Sequence, residues 1–341
     1  MAKQSIIVIG ASAGGIRAMK RMVAGLPRDL PAAIFVATHI PPGNKSILPN
    51  ILNKAGKLPA RHAVDGEPIR MGQIYVALPG YHLIIEQGQV RVTSGPTEGG
   101  FRPAIDALFR SAARSYGSEV IGLILTGLLD DGTAGLLSVK RHGGVAIVQN
   151  PDDATHPDMP LSALAHVDVD YCLPISEVAA TLTDLVTDRS GERVEEAHQE
   201  TAVGDRIHLN LREMETGEGP EDPAPVACPA CGGGSLELRR GDPIQFECKA
   251  GHRYSAESLI AAQTDDVERA LWLALRLLEK HGAFAKRMAK HWRALESEQI
   301  AAEFDKKAVE AEENANALRQ VLSRGGVLAN KEMSGLSAQG I

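Results

Sequence analysis

The chain has 341 residues, 44% hydrophobic, 23% charged and 4% aromatic, so it can bury a core and is not a disordered polymer. Its 36 basic and 43 acidic side chains give a net charge of −7 without a long basic block, which argues against nucleic-acid binding. No run approaches the roughly 18 apolar residues of a membrane span, MAKQSIIVIGASAGG lacks the parts of a signal peptide, and four cysteines do not make a disulfide scaffold, so a cytoplasmic protein of about two domains is expected.

Along the chain, apolar β-branched runs predict strands at Ser5–Ile9, Ala33–Thr38, Ile74–Ala77, Val120–Leu125, Val145–Val148 and Tyr171–Pro174. Helical spacing falls between them, at Gly14–Gly25, Ser46–Ala55, Pro103–Ser115, Ala134–Lys140, Leu161–His166 and Ser176–Thr187. His82–Ile85 and Gln89–Val92 flank Glu86-Gln87-Gly88 and read as a hairpin. The alternation predicts an α/β domain over residues 1–189 with a mostly parallel sheet. Residues 190–225, with TGEGPEDPAP and little to bury, read as a linker. A cysteine-rich module follows at 226–257, then a helical segment at 258–324 and a flexible tail at 325–341. In the helical segment Val267, Leu271, Ala274, Leu278, Ala285, Met288, Trp292 and Leu295 step by three and four, broken only at His281. Phe304, Ala308, Ala311, Ala315, Leu318 and Leu322 repeat the spacing in a shifted phase. A break near Ser297–Ile300 therefore predicts two helices, either folded back as a hairpin or paired between chains as a coiled coil. Cys172, at the end of a predicted strand, is expected in the core.

Gly10-Ala11-Ser12-Ala13-Gly14 forms a tight turn between the first strand and the first helix. Such a turn serves either a dinucleotide, whose pyrophosphate approaches the helix N-terminus, or a nucleophile elbow that lifts a serine hydroxyl out of the chain. The dinucleotide site needs an acid at the end of the second strand, and His39 stands there instead. Asp131 follows the strand Val120–Leu125. Ser12, His39 and Asp131 thus converge on the carboxyl rim of one sheet, where open α/β sheets bind ligands. A nucleophile, a base and an orienting acid are what acyl transfer requires. Each has a plainer role open to it, as helix cap, loop histidine or turn aspartate.

IGASAGG, THIPPG and LTGLLDDGTAG resemble the three active-site motifs of the chemotaxis protein-glutamate methylesterase family, CheB-type. SGPTEGGFRPAIDALF and VQNPDDATHPDMPLSAL are similar to its remaining signatures, and the likeness covers about residues 5–188. It implies a doubly wound α/β fold with helices on both faces, Ser12 as nucleophile, His39 as base and Asp131 rather than Asp130 as acid. It also implies hydrolysis of glutamate methyl esters on methyl-accepting receptors, releasing methanol without a catalytic cofactor, and deamidation of receptor glutamines. The backbone N–H groups of Ala13 and Gly14, helped by the Leu128 loop, would hold the oxyanion. Arg102 reads either as a contact for an acidic receptor segment or as a solvent arginine at a helix start. Ala13 departs from the threonine frequent there, and a catalytic strand starting at Ser5 suggests a form without the family's receiver domain. A partner-binding protein that keeps the esterase fold is the alternative.

Cys228-Pro-Ala-Cys231 and Cys248-Lys-Ala-Gly-His252 supply four ligands of the kind tetrahedral zinc prefers. A redox role needs a βαβ context that the flanking residues lack. A structural zinc ribbon is expected, closed to catalysis because all four positions are protein ligands. The region resembles a C-terminal extension of some members of the same family, and its helices are the expected place for a homodimer or a signalling partner.

Overall fold

The computed structural model describes residues 5–40, 46–191, 227–233, 235–238 and 245–323. Its contacts divide the chain into two units, Met1–Leu259 and Ile260–Ile341. The expected linker, past its first two residues, and the expected tail lie outside the described residues.

In chain order the first unit runs β1 (Ser5–Ala11), α1 (Gly15–Gly25), β2 (Ala32–Thr38), α2 (Leu48–Ala55), β3 (Ala60–His62), β4 (Ile74–Val76) and a hairpin of β5 (His82–Glu86) and β6 (Gln89–Thr93). It continues with α3 (Ile105–Tyr116), β7 (Val120–Ile124), α4 (Thr133–Arg141), β8 (Val145–Gln149), α5 (Asp158–His166), β9 (Tyr171–Leu173) and α6 (Ile175–Gly191). Seven parallel strands form one sheet in the order β3-β4-β2-β1-β7-β8-β9. Both faces are covered, so β1 and β2 are buried along their whole length and read as unbroken apolar runs. Ile7, Ile9 and Ala11 pack with α1, α2 and α6, while Ile6 and Val8 pack with α3, α4, α5 and the hairpin. Each fully buried Ile or Val contributes roughly 1.5–3 kcal/mol, so the central strands anchor everything built on their ends.

The sheet grows in one direction from β1 through β2 and β4, and in the other through β7 and β8. The reversal at β1 opens a crevice at the carboxyl ends of β1 and β7. β3 was not anticipated, because Ala60-Arg61-His62 is too short and too polar to register as an apolar run. Cys172 departs from expectation: it lies exposed on the edge strand β9 rather than in the core.

After α6 the first unit includes a small antiparallel sheet of β10 (Ser235–Leu238), β11 (Gln245–Cys248) and β12 (Arg253–Ser255). The second unit is built from α7 (Ala256–Ala294), whose residues up to Leu259 belong to the first unit, and α8 (Glu298–Ser323). Lys286–Glu312, Arg293–Asp305 and Arg319–Glu279 ion pairs step in opposite directions along the two helices, which makes them an antiparallel hairpin. Ala285 and Ala289 face a stripe of Ala301, Ala308, Ala311 and Ala315, all buried. Ala285 is buried in the seam as expected, while Leu271, Ala274, Leu278, Met288 and Trp292 are half-buried. The other fully buried positions, Leu275, Gly282 and Ala289, each lie one residue past Ala274, His281 and Met288, so the break at His281 is the passage of the seam onto Gly282. Val267 and Leu295, expected in the seam, are exposed. Among the described residues no helix is long and apolar enough to cross a membrane.

Candidate active site

Ser12 follows β1, His39 follows β2, and Asp131 lies in the loop between β7 and α4. The crevice brings the three together. His39 Nδ1 lies 3.0 Å from Ser12 Oγ, and Nε2 lies 2.7 Å from Asp131 Oδ2. A carboxylate only accepts, so the ring proton sits on Nε2 and Nδ1 is left to accept from the Ser12 hydroxyl. The histidine and aspartate side chains are nearly buried, whereas Ser12 keeps some exposure.

Asp131 does more than meet the imidazole. Its Oδ2 accepts from Ile105 N–H at 2.8 Å and its Oδ1 from Asp106 N–H at 3.0 Å, so it caps α3, which has no side-chain cap of its own. Asp106 answers by accepting from Gly132 N–H at 3.0 Å and Gly135 N–H at the start of α4. Burial opposes charge on Asp131, but His39 and the two N–H donors hold its carboxyl below the ordinary range. Burial and the adjacent Asp131 push Asp106 the other way.

The turn bearing Ser12 is clamped from below. Ser12 N–H donates to Thr126 O at 3.0 Å, and the Thr126 hydroxyl lies 3.0 Å from Ala13 O and accepts from His156 N–H at 2.8 Å. Thr126 N–H donates to the buried Gln149 side chain at 3.0 Å. Gly14 has φ 80°, the left-handed region glycine tolerates, and starts α1 with its N-terminus toward Ser12. Gly127 permits a close approach: a Cβ there would strike Met159 Sδ and lie 2.9 Å from Ser12 Cβ. Sequence reading singled out neither Thr126 nor Gln149, although both lie inside the quoted LTGLLDDG and VQNPDD stretches.

Three further groups complete the rim. Leu128 is 48% exposed, next in sequence to Gly127. Arg102 is partly buried, not a free solvent arginine: its Nη1 donates to Ser94 O at 3.0 Å and Gly95 O at 2.6 Å and braces that loop. Phe101 lies flat on the His39 ring, with centroids 3.7 Å apart and planes within 4°. Phe101 lies inside the quoted SGPTEGGFRPAIDALF stretch, but only the folded loop reveals its contact with His39.

Asp130 interacts with Ser255 and Glu257 rather than with His39. Burial raises its carboxyl to about 7, with Ser255 opposing and Glu257 adding to the rise. The proton is then held more tightly in the folded than in the unfolded chain, so stability falls as pH rises from about 4 to about 7 and the full loss persists above. Asp130→Asn is expected to leave stability unchanged below pH 4 and to raise it by about 4 kcal/mol above pH 7. Urea unfolding at pH 4 and pH 8 checks this; an equal change at both values would count against it.

Cys228, Cys231, Cys248 and His252 bring their ligand atoms within 4.8 Å of one another. Cys231 and Cys248 sulfurs lie 3.7 Å apart, and His252 Nδ1 lies 3.8 Å from Cys228 and 3.4 Å from Cys248. A tetrahedral ion with bonds of about 2.0–2.3 Å sets its ligands roughly 3.5–3.8 Å apart, so the donor set and its spacing fit a metal ion.

A family model described as CheB methylesterase matches residues 7–182. A protein-glutamate methylesterase/protein-glutamine glutaminase 2 of Anaeromyxobacter dehalogenans is 38% identical over 184 residues, covering 54% of this chain and 54% of its own. The chain thus spans about half the length of that relative. A putative protein-glutamate methylesterase/protein-glutamine glutaminase of Leptospira interrogans is 40% identical over 174 residues, 51% of this chain and 90% of its own. Among solved structures, the Thermotoga maritima CheB methylesterase catalytic domain superposes with a TM-score of 0.52 at 34% identity, covering 53% of this chain and 98% of that one.

Proposed function

The chain belongs to the CheB methylesterase family, and from that premise we propose that it hydrolyses γ-glutamyl methyl esters on the cytoplasmic helices of methyl-accepting chemotaxis receptors. The observation that carries the reading is the hydrogen-bonded chain from Ser12 through His39 to Asp131 at the sheet's crevice. Ser12 Oγ attacks the ester carbonyl while its proton passes to His39 Nδ1. The Asp131 carboxylate, held charged by the end of α3, stabilises the imidazolium. The N–H groups of Ala13 and Gly14, at the N-terminus of α1, face the developing oxyanion, and one such donor is worth roughly 3 kcal/mol in serine hydrolases. His39 returns the proton to the departing methoxide, which leaves as methanol. Water, deprotonated by His39, then cleaves the acyl-enzyme and restores Ser12. The same steps on a receptor glutamine release ammonia, and so support deamidation as a second activity.

The test is methanol release from carboxymethylated receptor helices, with and without a serine-directed fluorophosphonate. Release that stops as Ser12 is labelled supports the reading. Release that survives complete labelling of Ser12 overturns it.

Zinc is the ion proposed for the Cys228, Cys231, Cys248 and His252 set, because three thiolates and one imidazole suit it best. It would supply structural cross-linking of the ribbon and no catalytic step, since four protein ligands leave no open position. The purified full chain is expected to carry close to one zinc, lost in a Cys228→Ser and Cys231→Ser double variant, by plasma emission spectrometry. Retention of the metal by that variant would refute the ligand set. A cytoplasmic setting, reducing enough to keep thiolates available, accords with this proposal.

A further inference from the structure

Backbone hydrogen bonds clasp the ribbon to the catalytic half of its own unit at residues 97–99, beside the contact of Asp130 with Ser255. Gly99 N–H donates to Arg253 O at 2.6 Å, and Arg253 N–H donates to Thr97 O at 3.2 Å, so β12 runs as a parallel neighbour of residues 97–99. Arg253 directly follows His252, and Cys248 N–H donates to His252 O at 3.0 Å. The metal-binding knuckle and the clasp therefore share adjacent residues. On the catalytic side the 97–99 segment doubles back: Phe101 N–H donates to Glu98 O at 2.9 Å, and Glu98 N–H to Phe101 O at 3.2 Å. Arg110 Nη2 fixes the Glu98 carboxylate through both oxygens, at 2.7 and 2.8 Å. The residue this small loop presents is Phe101, flat against His39.

Where the ribbon sits decides what it can do. The cavity between ribbon and catalytic residues is lined by Phe101, Asp130 and Asp131 on one side and Arg253, Tyr254 and Ser255 on the other, and neither Ser12 nor His39 borders it. Among the described residues the ribbon thus borders the acid side of the relay rather than Ser12.

We infer that the Cys/His ribbon is a positioning element of the esterase site, holding Phe101 as a flat support for the His39 ring so that occupancy of the ribbon's metal site sets the alignment of the base. The inference rests on the reading of Ser12, His39 and Asp131 as an esterase relay. Asp131 fixes one edge of the imidazole, and the face-on ring removes its remaining swing. The ring face also favours the imidazolium formed during attack. Stacking of this kind is worth about three- to tenfold in rate.

The experiment uses the full chain, zinc-loaded or stripped with dipicolinate, alongside Phe101→Ala and Phe101→Tyr. Labelling of Ser12 by a fluorophosphonate needs no receptor, so it reports on the relay even if the methyl-ester reading fails. Stripping and Phe101→Ala are each expected to slow labelling and to lower kcat for methanol release three- to tenfold, with KM within twofold. Phe101→Tyr, which keeps the stacked ring, restores the rate. Stripping the Phe101→Ala variant adds no further loss, because the two changes act through one contact. Hydrogen exchange at the Gly99 and Phe101 amides is expected to rise on stripping. Labelling that is unchanged or faster after stripping overturns the inference, as does unchanged protection at Gly99. Slowed labelling without methanol release from any receptor substrate preserves the inference and rejects the substrate.

Discussion

Replacing Ser12 with alanine is expected to lower methanol release by roughly 10⁵- to 10⁶-fold while leaving the fold intact. The hydroxyl makes one described contact, to His39 Nδ1, and the turn beneath it is held by backbone groups and Thr126 rather than by the Ser12 side chain. Removing Oγ therefore deletes the attacking atom and changes unfolding free energy by less than about 1 kcal/mol. The His39–Asp131 pair and the Ala13–Gly14 amides remain, so any residual rate measures what positioning and oxyanion binding achieve alone. Methanol release and urea unfolding on the same preparation separate the two effects. Activity within tenfold of the unsubstituted protein would mean that another group attacks the ester.

Asp131→Asn should behave differently, losing activity and stability together. Three N–H groups converge on its two oxygens, from His39 Nε2, Ile105 and Asp106. An asparagine has one oxygen and one NH₂, so at least one of those donors must face another donor. If the oxygen turns to Ile105 and His39, the NH₂ meets Asp106 N–H and α3 loses half its cap. If it turns the other way, the NH₂ forces a proton onto the wrong ring nitrogen and Nδ1 can no longer accept from Ser12. A drop of about 10⁴ in kcat is expected from the tautomer and charge effects. A stability loss of about 1–3 kcal/mol follows from the unsatisfied donor. Circular dichroism through a urea series, paired with kcat, checks both, and a catalytic defect at unchanged stability would show that the cap matters little.

The parts of this fold legible in the sequence are those written by burial. Ile6–Ile9 and Ile34–Val36 read as strands from their unbroken apolar runs, and with their ends known, Ser12 and His39 fell on one rim. What escaped was written by packing between distant residues. β3 exists because β4 offers it an edge, not because Ala60-Arg61-His62 favours a strand. The seam between α7 and α8 moves onto Gly282 because the facing Ala311 admits close backbone approach, a fact about the pair of helices rather than either one. Cys172 seemed core-like from its strand, yet that strand is the sheet's edge. Phe101 and Thr126 sit in loops, where the backbone path alone decides which side chain meets the relay.

The two caps that Asp131 and Asp106 exchange tie the helix starts of α3 and α4 to the chemistry. In a lineage that abandoned hydrolysis, Ser12 and His39 would be free to drift, since neither holds a helix. Asp131 would be retained regardless, because selection for folding acts on it independently of selection for turnover. Of the three residues, the acid is therefore the poorest witness to activity, and an aspartate surviving alone at this position in a descendant would record ancestry rather than catalysis.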